Sequence, residues 1–303
     1  MLKSAQFLWL AILLCLPLSA QAKPQIVFDV NSGRVLAATD IDQKWYPASL
    51  TKIMTGYLAF QAISNRSDIS LKTKITLSKY AASQPPSKLG IGAGRSISME
   101  KALEALFIRS TNDIAVGIAE KISGSEARFI TLMNNTAKNL GMTRTHFSNP
   151  HGLFKRDQVS TARDLAKLTH AILLRYPQFS RFFSMRYLEI GGKKFRNRNG
   201  LLRNYQGADG MKTGFVCSSG YNLIATATRN GKKIAAIMMG GKNVKSRDKQ
   251  VATLLDFGFN QLTNHSDNGN ATIYTAQRQA YKAPFDMRPI SCAPRKKKAK
   301  KKK

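Results

Sequence analysis

A serine and a lysine stand three residues apart in Tyr46-Pro47-Ala48-Ser49-Leu50-Thr51-Lys52. At i and i+3 of a helix they share one face, so the Lys52 amine can reach the Ser49 hydroxyl without help from the rest of the fold. A lysine acts as a base only after burial and a neighbouring cation have lowered its pKa by several units. Ser49 is then a nucleophile delivered beside its own base, and the free N–H groups of the first helical turn offer an oxyanion donor. The spacing alone decides nothing, because it also suits an ordinary helix start. Two further strings supply what is missing. Ser110-Thr111-Asn112 places a hydroxyl and a carboxamide at i and i+2, and Lys212-Thr213-Gly214 follows later in the chain. Lys212 is the expected cation that depresses Lys52, and Thr213 the expected hydrogen-bond donor to a substrate carboxylate. Gly214 lets a peptide backbone lie close against an edge strand.

Other chemistries find little support. There is no G-x-S-x-G for a histidine triad, and no H-E-x-x-H or C-x-x-C for zinc. The four histidines, His146, His151, His170 and His265, are scattered. Gly90-Ile91-Gly92-Ala93-Gly94 reads as a turn, because neither the lysine nor the preceding strand of a phosphate loop is present. No cofactor or metal is expected.

The elements that must hold these residues alternate by region. Residues 24–40 read as two short strands around the turn Asn31-Ser32-Gly33, and the pattern turns helical from Pro47 to about Tyr176. Ser98 is placed to cap one helix, and Ser160 or Thr161 another. Period two returns at residues 221–241, where Asn230-Gly231 signals a hairpin. Residues 251–262 read as a closing helix. The expected fold is therefore α+β, with an antiparallel sheet from the N- and C-terminal strands and a helical region inserted between them. A cleft is expected where the two parts meet. No internal repeat is found.

At 303 residues and 43% hydrophobic, the chain can bury a substantial core. Residues 1–22 have the parts of a secretory leader: Lys3, an apolar run from Phe7 to Leu18, and Ala20-Gln21-Ala22 as the cleavage site. Bulky Leu14 before Cys15 argues against a lipid-modified cysteine. An exported protein, periplasmic or associated with the cell envelope, follows. Without Cys15 the mature chain keeps Cys217 and Cys292, whose pairing the sequence leaves open. The formal charge is +31, and the last nine residues, Arg295 to Lys303, carry eight of the cations. For an exported chain this favours an anionic envelope surface over nucleic acid, and no aromatic residues interleave the run as stacking on bases would require. The expected organisation is a leader at 1–22, a catalytic domain at 23–262, and an irregular, lysine-rich tail at 263–303.

Taken in order, the three motifs resemble those of the penicillin-binding proteins and serine β-lactamases. The flanking segments, at residues 47–55, 146–166, 207–214 and 220–233, are similar to the D-alanyl-D-alanine carboxypeptidases among them. The resemblance runs from about Gln25 to Phe259. It implies that Ser49 forms an acyl-enzyme with the penultimate D-alanine of a peptidoglycan pentapeptide, that Lys52 is the general base, and that Ser110 passes the proton to the leaving D-alanine. It also implies that Asn112 holds the substrate amide, that Lys212, Thr213 and Arg247 hold the terminal carboxylate, and that the N–H groups of Ser49 and Phe215 hold the oxyanion. The implied ligands are stem peptides ending in D-Ala-D-Ala and the β-lactam antibiotics. Two alternatives stand beside this: an endopeptidase that cuts D-alanyl cross-links, and a non-catalytic polycationic envelope-binding protein on the same scaffold. A β-lactamase is disfavoured, since no E-x-x-L-N-type segment supplies a deacylating glutamate. Many relatives add a β-rich domain and an amphipathic membrane helix, for which the residues after 262 leave no room. The lysine run is the expected substitute.

Overall fold

The period-two runs at the two ends of the chain pair with each other in the computed structural model, which describes residues 23–263, 271–280 and 283–293. In chain order the strands are β1 (Gln25–Asp29), β2 (Val35–Thr39), β3 (Lys74–Thr76), β4 (Ser96–Ser98), β5 (Tyr187–Ile190), β6 (Lys193–Arg196), β7 (Ala208–Val216), β8 (Gly220–Arg229) and β9 (Lys232–Gly241). Five of them form one sheet in the order β2-β1-β9-β8-β7, antiparallel throughout. The N-terminal hairpin joins the C-terminal strands through β1 and β9, and β7 is left as an edge. Asn230 and Gly231 both have positive φ, 48° and 72°, as the tight turn between β8 and β9 requires.

Each strand turns alternate side chains to opposite faces, so the sheet separates two apolar layers. Val27, Leu223, Ala225 and Ile234 pack with Val251, Leu255 and Phe259 of the helix Val244–Thr263. That helix starts seven residues before the expected Val251. Ile26, Phe28, Ile224 and Ile237 face the helical body, whose main helices are Lys52–Asn65, Asn112–Ser123 and Ala162–Arg175. Ser98 caps one helix by accepting from the Lys101 N–H, and Thr161 caps another by accepting from the Asp164 N–H. This is the α+β arrangement expected. The inserted region is not purely helical, because β3–β4 and β5–β6 form two small hairpins. At three to four residues per strand, they are too short for an alternation to stand out.

The stretch after Thr263, expected to be an irregular tail, has little regular structure but is packed against the body where it is described. Ile273 and Met287 are buried. Arg163 pairs with Asp42 at 2.8 Å and donates to the carbonyls of Ala276 and Gln277, each at 2.9 Å. The Gln279 N–H donates to Asp42. Phe285 stacks on Trp45, and Cys292 is bonded to Cys217 with Cα atoms 5.5 Å apart. The leader at 1–22 and the lysine run at 295–303 lie outside the described residues.

The buried Asp42–Arg163 pair thus ties this segment to the helical body. Burial works against the Asp42 carboxylate, but the hydrogen bonds from Arg163 and Gln279, with the charges of Arg163 and Arg144, outweigh it and lower its pKa. A carboxylate lowered in the folded state adds stability above its ordinary pKa, and that stability is lost as pH falls through the lowered value. Asp42→Ala should reduce the unfolding free energy by about 3–5 kcal/mol in urea titrations, since it strands a buried guanidinium. The gap from wild type should narrow on acidification below about pH 4.

Candidate active site

Ser49 sits in a 3-10 turn, Ala48–Thr51, that leads directly into the helix Lys52–Asn65. The tighter turn eclipses residues three apart, which aligns Lys52 with Ser49 more closely than the expected α-helical start. The Lys52 Nζ lies 3.3 Å from the Ser49 Oγ, 2.7 Å from the Asn112 Oδ1 and 2.5 Å from the His151 carbonyl. The latter two groups can only accept, so they take two amine hydrogens. In the neutral amine the lone pair is then left toward Ser49, where it can receive the hydroxyl proton. Lys52 is wholly buried, and burial first, then the Arg198 charge, drives its pKa well below the ordinary value, with Asp113 opposing.

Lys212 was the expected cation beside Lys52. Arg198 supplies the charge that lowers Lys52, and Lys52 and Lys212 also lie within each other's field. Burial lowers Lys212, followed by the charges of Lys52, Arg198 and Arg247. Arg198 donates to the Ser87 Oγ at 2.5 Å.

The residues from the three motifs converge on a cleft of about 420 Å³, whose lining includes Ser49, Ser110, Asn112, Thr213, Gly214, Phe215 and Arg247. Ser110 follows a single π-turn, Ala105–Arg109, and has φ 63° and ψ 42°. Ala48, just before Ser49, has φ 49°. Non-glycine residues seldom adopt this left-handed region, and here one is Ser110 itself and the other immediately precedes Ser49, so both flank or carry a hydroxyl of the cleft. The Ser110 Oγ is buried with no protein partner, free to meet a reacting atom. Asn112 is turned inward: its Oδ1 accepts from Lys52 and its Nδ2 donates to the Pro85 carbonyl at 2.9 Å. Arg247 is buried in the wall and ion-paired with Asp248 at 2.7 Å. Phe215 is 40% exposed and lies against Tyr221.

Gly214 has a reason beyond substrate access. A Cβ there would lie 2.9 Å from the Pro47 carbonyl and 3.1 Å from the Ser49 nitrogen. Only glycine lets β7 close on the serine turn, which brings the Ser49 N–H and the Phe215 backbone to one wall.

Several positioning residues escaped the sequence reading. Asn222 donates to the Tyr46 and Pro47 carbonyls and accepts from the Gly240 N–H, clamping the serine turn to β8 and β9. A carboxamide at the start of an otherwise mostly apolar strand was its only signal. Asn149 accepts from the Gly152 N–H, and Gln158 donates to the Leu153 carbonyl, which shapes the loop that carries the His151 carbonyl. Burial and the charges of Lys52 and Lys155 lower His151 to about 3. Arg198 has no sequence signal, being one arginine among many.

Known proteins bear on this geometry. The family model described as D-alanyl-D-alanine carboxypeptidase matches residues 15–243. D-alanyl-D-alanine carboxypeptidase DacF of Bacillus subtilis is 36% identical over 253 residues, which take in 82% of this chain and 64% of that protein. The chain therefore spans somewhat less than two thirds of that relative's length. Penicillin binding protein 5 from Haemophilus influenzae superposes with a TM-score of 0.75 at 34% identity, over 79% of this chain and 71% of that one. Penicillin-binding protein D2 from Listeria monocytogenes, solved in its cefotaxime-bound form, gives 0.71 at 32% identity, over 78% and 96%.

A base of this kind has a directional pH signature. If Ser49 is acylated with Lys52 as base, the neutral amine is the competent form, and the rate should rise with pH through the lowered lysine pKa. No inflection should appear near 6.5, because His151 stays neutral down to about 3. Stopped-flow acylation rates across pH would check both features, and Lys52→Met should lose the rise along with most of the rate.

Proposed function

Because this chain belongs to the D-alanyl-D-alanine carboxypeptidase family, we propose that it removes the terminal D-alanine from peptidoglycan pentapeptides by way of a Ser49 acyl-enzyme. The observation that carries this reading is the dry Lys52 amine, fixed by Asn112 and His151 and directed at Ser49. The Ser49 oxygen attacks the penultimate D-alanyl carbonyl while its proton passes to Lys52. The N–H groups of Ser49 and Phe215 receive the oxyanion, a kind of contact worth about 10²–10³ in rate. Ser110 delivers the proton to the departing amine, and water with Lys52 as base then cleaves the ester. Lys212, Thr213 and Arg247 hold the terminal carboxylate, and Gly214 lets the peptide approach β7. Asn112 holds Lys52 and presents its remaining carbonyl lone pair to the substrate amide. β-Lactams acylate the same serine. No metal or cofactor enters any step.

The catalytic unit of this reading is residues 23–262, exported behind the 1–22 leader to the periplasm or cell envelope. The lysine run holds it to an anionic envelope surface, at up to roughly 1 kcal/mol per cation. Among the described residues no helix is long and apolar enough to cross a membrane.

The purified protein, incubated with a D-Ala-D-Ala-ending muropeptide, should release a single alanine by mass spectrometry. Ser49→Ala should reduce this by at least about 10³-fold and abolish the covalent penicillin adduct. Split cross-links instead would establish the endopeptidase. Absence of turnover together with absence of an adduct would leave only a polycationic binding protein. Truncation after Pro294 should weaken partition onto anionic vesicles, and equal partition would refute the role of the tail.

A further inference from the structure

If the terminal carboxylate is held at Lys212 and Thr213 and the reacting carbonyl at Phe215, the substrate has a direction along β7. Its upstream part must continue past Val216 toward the turn at residues 217–219. An extended chain advances about 3.3 Å per residue, so one upstream residue reaches Val216 and a long side chain reaches the turn.

The turn beyond that end of the cleft is covered by residues 283–293. The Met287 N–H donates to the Ser218 carbonyl at 3.0 Å, and Cys292 is bonded to Cys217. The same segment crosses to the opposite wall, where Leu153 lines the cleft and Phe154 follows it. Arg288 lies with its guanidinium carbon 5.9 Å from the Phe154 ring centroid, and Phe154 meets Tyr46 edge-on at 5.1 Å. Phe154 is 44% exposed, and Asp286 engages Nε and Nη2 of Arg288, which turns Nη1 away from that carboxylate. Tyr46 sits within the fields of Arg156, Arg288 and Asp286. Among the charges acting on Tyr46, two arginines stand against one aspartate, a local surplus of positive charge.

We propose that the disulfide-pinned segment forms the upstream wall of the cleft, and that Arg288, braced on Phe154 and Tyr46, selects substrates whose residue immediately upstream of the acyl D-alanine has a long side chain ending in a carboxylate. This rests on the carboxypeptidase reading, which fixes the substrate's direction. Arg288 is a specificity-determining residue, remote from the reacting atoms.

The test uses the full chain and two pentapeptides that differ only at the third position, one with meso-diaminopimelate and one with lysine. Wild type should favour the carboxylate-bearing peptide about fivefold in kcat/KM, the scale of one partly exposed charge pair. Arg288→Ala should bring the ratio near one, Arg288→Lys should keep most of it, and Arg288→Glu should invert it. Cys217→Ser with Cys292→Ser should also flatten the ratio by releasing the segment. Equal rates in wild type, or an unchanged ratio in Arg288→Ala, would overturn this inference while leaving the carboxypeptidase reading intact. Hydrolysis of neither peptide by wild type would overturn both.

Discussion

The lysine amine held in a dry interior is the constraint around which the fold is arranged. Burying an ammonium costs several kcal/mol, and the chain meets that cost by supplying acceptors and letting the pKa fall. The acceptors come from far apart: Asn112 opens one helix, and His151 lies on a loop held by Asn149 and Gln158. Thr55 fixes that loop to the lysine's own helix by donating to the Pro150 carbonyl at 2.6 Å. A shift in any of these leaves either an unpaired amine or an unpaired carbonyl in the core.

The second requirement is that β7 lie against the serine turn. The contact at Gly214 and the Asn222 clamp bring sheet and helical body together at the cleft. Backbone strain is concentrated here too, at Ala48 and Ser110. Such conformations persist only where surrounding packing over-determines them. The helices and the sheet's apolar faces supply that packing, with Ile53, Leu106 and Ile114 fully buried beside the motifs.

The segment after Thr263 illustrates the limits of reading composition. Its polar, proline-containing pattern has no period, and so looks like solvated chain. Its order comes instead from isolated anchors: Ile273, Phe285, Met287, the Asp42 hydrogen bonds and Cys292. Each meets a partner far away in sequence, and no local pattern encodes such pairings.

Local order was legible because it follows from short-range rules. The β8–β9 hairpin followed from Asn230-Gly231, the caps from Ser98 and Thr161, and the sheet from alternation in the terminal runs. Ser49 and Lys52 were legible for the same reason, since three residues of helix fix their meeting. Their long-range neighbours were readable only through motif resemblance, and Arg198, Asn222 and the packing of residues 283–293 not at all. The sequence by itself determined the elements, the caps and the serine–lysine contact, each set by backbone periodicity over a few residues. Which charges meet Lys52, which way Asn112 turns and what covers the 217–219 turn were decided by tertiary structure, because burial and Coulomb fields depend on distances in space rather than along the chain.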